Sequence, residues 1–209
     1  MLAITPLLQV PWKEQKYEWP WSILPVPPFS LVPLDHASLD CMGTFFAALC
    51  AGESPDSVDA FIQMIRDTDQ LIACGGFEIA DCDVQIRPAC CSGIEQWREW
   101  RSFLEGGTSP WFGHDPRGWA ARTENEIIIW TDGANVTPHE RLGPSIATTY
   151  SVFNSALAHA EARLTSFIFA LPRWLSLVGR DDASDILRKI EHDQDHCLTI
   201  RSRMTRRSE

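Results

Sequence analysis

The chain has 209 residues, 44% of them hydrophobic and 22% charged, with a formal net charge of -10; it is long enough to close a core of its own. Its 28 Asp and Glu against 18 Lys and Arg argue against a binder of nucleic-acid phosphates and suit a basic partner surface. The excess is uneven, with 20 acids and 8 bases in residues 1–140 but 8 and 10 in residues 141–209.

The opening MLAITPLLQVPW has neither a basic region nor a small-residue cleavage site, and the most apolar later stretch, Phe167 to Val178, is broken by Pro172 and Arg173. Neither a signal peptide nor a membrane span is expected. Seven cysteines, an odd number spread thinly through apolar segments, fit a reducing, cytoplasmic location.

In chain order, residues 1–37 are rich in proline and tryptophan and read as an extended arm packed on the body. Residues 38–204 read as one α+β domain, mostly helical with a small antiparallel sheet, and 205–209 as a basic tail. Ser38 caps a helix through Ala51, with Gly52 as its stop. For the next helix Ser54 is the expected cap, Pro55 the first helical residue and Asp56 the first-turn acid, with Val58, Phe61, Ile62 and Ile65 as its apolar stripe.

Phe77 and Ile79, then Val84 and Ile86, alternate as in a short strand or hairpin. Ser92-Gly93-Ile94-Glu95 has the form of a capping box, so a helix is expected to start just after Cys90 and Cys91 and to carry Trp97, Trp100 and Phe103 on its apolar side. NEIIIWTDG is the clearest strand, over residues 126–130, closed by the turn pair Asp132-Gly133. After Pro144 the pattern becomes helical, running from Tyr150 to a stop before Pro172, and a last helix is expected from about Ser184.

No phosphate-binding, dinucleotide or nucleophile-elbow motif occurs, and no catalytic residue is assigned. Four places still carry possible chemistry. Cys90 and Cys91, at a helix start, read as packed, reduced cysteines, with stabilised thiolates as the alternative; a nucleophile would also need a base, and His114 is the nearest histidine in sequence. Cys74, Cys82, Cys90 and Cys91 are four thiolates whose spacing does not match a zinc knuckle. His192 and His196 stand one helical turn apart, the basis of an alternative reading as a metal-dependent hydrolase, with His159 as a further ligand.

The fourth place is the loop SPWFGHDPRGW, residues 109–119. Aromatic residues and arginine together on a loop are what interfaces use as anchors. Trp97, Trp100, Trp111, Phe112, His114, Asp115, Arg117 and Trp119 are therefore the expected partner-binding set, with the alternative that the loop plugs the edge of its own core and that several of these aromatics pack inside. No cofactor, metal, nucleic acid or membrane partner is expected.

The stretches CDVQIRPACCSGIEQWREWRSFL, PWFGHDP and IIIWTDG, within residues 77–133, are together similar to small cytoplasmic bacterial proteins, some of which resemble immunity proteins encoded beside polymorphic or contact-dependent toxins. That resemblance implies a non-enzymatic inhibitor that binds a cognate toxin domain and blocks its active site.

Overall fold

The computed structural model describes residues 1–11, 19–50, 55–114, 117–131, 143–180 and 184–190. The protein is α+β, with more helix than strand and small antiparallel sheets. In chain order come strands β1 (Ala3–Gln9) and β2 (Leu31–Pro33), helices α1 (Leu39–Leu49) and α2 (Val58–Asp67), and strands β3 (Gly75–Asp81) and β4 (Val84–Ile86). A single 3-10 turn (Ile94–Gln96), helix α3 (Trp97–Leu104), strands β5 (Gly118–Arg122), β6 (Glu126–Thr131) and β7 (Ser145–Thr149), and helix α4 (Tyr150–Leu177) follow. Residues 184–190 are helical.

The chain divides into two compact units, one of Met1–Leu7 with Gly75–Ala162 and the other of Leu8–Cys74 with Arg163–Glu209. In the first unit β1 lies beside β3, and β3 pairs antiparallel with β4 in the register Ile79 to Ile86 and Asp81 to Val84. The intervening turn holds Cys82 at φ 49. Gly75 is required where β3 meets β1, because a Cβ there would stand 2.2 Å from the Leu7 carbonyl oxygen at a φ of +148 that side chains rarely adopt.

Strands β5, β6 and β7 form a second, fully antiparallel sheet, with Trp119 opposite Trp130 and Ile129 opposite both Ala120 and Ile146. The β-branched run reads correctly as a strand, since Ile127 and Ile129 are fully buried. The hairpin pair Asp132-Gly133 lies outside the described residues. Residues 145–149 were expected to lead into helix and instead form β7, whose alternating burial is weak; cross-strand pairing with β6 decides their conformation.

In the same unit Trp100 sets its ring edge-on to Phe112 at 5.2 Å and to Phe103 at 6.1 Å, and tilts against Phe153 at 5.2 Å. Arg101 of α3 reaches α4 within the same unit: Nε donates to Glu161 Oε1 at 2.7 Å, Nη2 to Glu161 Oε2 and Nη1 to Asn154 Oδ1, each at 2.5 Å. This two-pronged geometry is the strong form of an ion pair.

The second unit is organised around aromatic rings. Phe46 stacks on Trp174 at 4.4 Å, Phe61 sits edge-on to Phe46 at 5.5 Å, and Trp21 stands edge-on to both Phe61 and Trp174. The Trp21 indole N–H donates to Gly43 O at 2.8 Å, which anchors the proline-rich segment on α1. Ser38 caps α1 as expected, accepting from Cys41 N at 3.1 Å.

Three helix boundaries differ from the sequence reading. The cap of α2 is Ser57, accepting from Ala60 N, so Pro55 precedes the helix and Asp59 is its first-turn acid; Ser54 lies outside the described residues. Helix α4 continues through Pro172 to Leu177. Its buried residues Phe153, Leu157, Ala160, Leu164, Phe167, Leu171 and Trp174 recur every three or four positions, and burying Trp174 and Leu175 offsets the roughly 3 kcal/mol that an internal proline costs. The third difference is at Ser92, which pairs with Gln96 in place of capping the helix.

An ion pair in the second unit gives a pH dependence. Arg66 Nε donates to Asp185 Oδ2 at 2.7 Å, and this hydrogen bond, ahead of the Coulomb attraction, holds the Asp185 carboxyl below its ordinary value. Its contribution is therefore present above the carboxyl's unfolded pKa and lost as pH falls through the lower folded value. Both side chains are well exposed, at 38% and 43%, which limits the effect to about 0.5 kcal/mol. Asp185→Asn is expected to lower the denaturant midpoint slightly at neutral pH and to match the parent in acid; an unchanged difference in acid would refute the assignment.

Candidate functional site

The site is built from two short segments of the first unit, residues 88–92 before α3 and 111–114 before β5. Ala89 N donates to Phe112 O at 2.7 Å and His114 N to Cys90 O at 3.1 Å, so the two run together like a pair of strands. The Trp111 indole N–H donates to Cys91 O at 3.1 Å, and Trp111 N donates to Glu99 Oε2 at 2.7 Å. Ser92 O accepts from Gly75 N at 3.0 Å, which ties the cysteine turn to the start of β3.

These contacts place Cys90, Cys91 and His114 side by side. One ligand atom from each, the two Sγ atoms and a ring nitrogen, all lie within 4.8 Å of one another, and the three residues are exposed. Cys91 adopts a left-handed φ of 63, which turns the chain; in a plain extended segment, neighbouring side chains point to opposite sides. Trp111 presents its ring edge-on to His114 at 4.8 Å.

The helix start after the cysteines is not a capping box. Gly93 caps the 3-10 turn without a side-chain hydrogen bond, and Ser92 Oγ donates to Gln96 Oε1 at 3.2 Å. The Glu95 carboxylate folds over Gly93, where a Cβ would lie 1.9 Å from Oε1, and the residue is only 2% exposed. The 3-10 turn Ile94–Gln96 leads straight into helix α3 at Trp97, so the first α-helical residue lies six positions beyond Cys91. Desolvation, then the adjacent Cys90 thiol, pushes the Cys91 thiol above its ordinary value, the opposite of nucleophilic activation.

Of the expected anchors, Trp100 and Phe112 are core, 5% and 3% exposed. Trp97, Trp111 and Trp119 are half-buried, and His114 and Arg117 are exposed; Asp115 lies outside the described residues. Trp97 and Trp111 line one small surface cleft together with Pro88, Ser92 and Gln96. The Arg98 guanidinium lies over the Trp97 ring at 4.4 Å, and the Trp97 indole N–H is buried with no acceptor among the described residues.

Cys74 and Cys82 do not join the cluster, so the four-thiolate set is not assembled; no disulfide links the described cysteines. His192 and His196 lie outside the described residues. His159, on the exposed side of α4, places Nδ1 2.7 Å from Ser155 O. Sequence reading missed the meeting of Cys90 and Cys91 with His114, which rests on backbone bonds between distant segments; glycine before His114 was the one local sign. Among the described residues no helix is long and apolar enough to cross a membrane.

Comparison with protein-family models, curated proteins and solved structures finds no match for this chain.

Proposed function

We propose that the chain is a cytoplasmic, immunity-type binding protein of bacterial origin that captures and inhibits a cognate toxin domain of basic character. The observation that carries this reading is the surface cleft where two of the expected anchors, Trp97 and Trp111, meet, with exposed His114 against Trp111. Part-exposed tryptophans beside an arginine supply large contact area at low entropic cost. The formal charge of -10 supplies steering towards a positively charged partner and a rate of association that falls with salt. The resemblance of residues 77–133 to proteins of this kind points the same way.

The test is to read the gene directly upstream and, where it encodes a large secreted protein, to co-express the C-terminal domain of that protein with the chain. Restored growth and a stable complex are expected, and Trp111→Ala should weaken that complex by at least about tenfold, as loss of a hot-spot residue does. A metabolic operon at that locus, or growth arrest undiminished by the chain, overturns the reading.

A further inference from the structure

We propose that Cys90 Sγ, Cys91 Sγ and a ring nitrogen of His114 bind one zinc ion, leaving its fourth position open at the surface. Two thiolates and an imidazole, with no carboxylate among them, form a donor set that selects zinc over magnesium or calcium. In a tetrahedral site with zinc–sulfur bonds of about 2.3 Å and zinc–nitrogen bonds of about 2.0 Å, neighbouring ligand atoms stand roughly 3.5 to 3.8 Å apart. Here they already lie within 4.8 Å of one another, so a contraction of about an ångström, within reach of rotations of three exposed side chains, closes the site.

The backbone holds the ligands in register before any metal arrives. The bonds Ala89 N to Phe112 O and His114 N to Cys90 O lock the two segments together, and the Trp111 indole fixes the Cys91 carbonyl. Adjacent cysteines chelate poorly when their side chains diverge; the left-handed turn at Cys91 is what brings these two sulfurs together. The inference is independent of the proposed toxin partner, because the ion needs nothing from outside the chain except a water molecule.

The test uses the full chain, reduced and titrated anaerobically with cobalt, then zinc. One equivalent of cobalt should produce the visible bands of a tetrahedral ion and a thiolate charge-transfer band, and one equivalent of zinc should abolish both. Zinc should protect two thiols per chain from alkylation, a readout that needs no variant. Cys90→Ser and Cys91→Ser should lose the charge-transfer intensity, and His114→Ala should weaken binding by roughly tenfold or more. Cys82→Ser, at an exposed thiol outside the cluster, and His192→Ala should each retain the site. Absence of the bands, their persistence in Cys91→Ser, or their loss in His192→Ala overturns the proposal.

Discussion

Gly113→Ala is expected to destabilise the first unit by about 1–3 kcal/mol through backbone strain alone, and by more through collision. Gly113 sits at φ +103, and a Cβ there would lie 2.4 Å from Cys90 O, 2.6 Å from Ala89 C and 2.7 Å from Ala89 O. All three are backbone atoms, so no rotamer change relieves the overlap. The two segments must separate, which breaks the bonds from Ala89 N to Phe112 O and from His114 N to Cys90 O and withdraws His114 from the cysteines. Gly106→Ala is the matched control: it too has a positive φ, +115, yet its Cβ would meet only the Arg122 guanidinium, at 3.6 Å. Thermal and denaturant unfolding should rank Gly113→Ala well below Gly106→Ala; equal losses would mean that the close approach of the segments is wrong.

Phe46→Ala should cost about 3–5 kcal/mol, the range for deleting a buried aromatic ring. Phe46 is fully buried, stacked on Trp174 and edge-on to Phe45 and Phe61 at 5.7 and 5.5 Å. The cavity would open in the middle of that ring cluster, where several neighbours lose contacts together. Phe46→Leu keeps most of the volume and should fall between the parent and the alanine variant. A midpoint for Phe46→Ala that implies a loss below about 1 kcal/mol would contradict the packing described.

What sequence reading reached, and what it did not, follows from the range of the forces involved. Ser38 and its helix, the hairpin at residues 77–86 and the strand from Glu126 were legible because their signals are local: a cap, an alternation, a β-branched run. Strand β7 was not, since Ser-Ile-Ala-Thr-Thr becomes a strand only when β6 is beside it. Pro172 signals a helix end in isolation, yet the burial of Leu171, Trp174 and Leu175 carries α4 past it. Ser92 and Glu95 had the right spacing for a capping box, but Ser92 faces Gln96 instead.

The site was half legible. Helical spacing drew attention to Trp97, the aromatic and arginine content of its loop to Trp111, and adjacency to the two cysteines, but only the pairing of residue 89 with 112 and of 90 with 114 makes His114 a neighbour of Cys90 and Cys91. The same fold claims Trp100 and Phe112 for its interior, a choice that periodicity alone cannot make, because the apolar side of α3 carries both core and rim.

The strand at the start of the chain has a consequence for biosynthesis. Residues Met1–Leu7 belong with Gly75–Ala162, so β1 leaves the ribosome long before β3 exists to receive it. At translation rates of about 5–20 residues per second, that wait lasts roughly 4–15 seconds. Throughout it an apolar segment containing Leu7 and Leu8, both interior in the finished molecule, has an unpaired edge. The second unit is also discontinuous, waiting for the carboxyl half of α4 to supply Trp174 to Phe46. Slow codons or chaperone engagement between residues 10 and 75 would therefore bear on yield more than the same interventions later in the message.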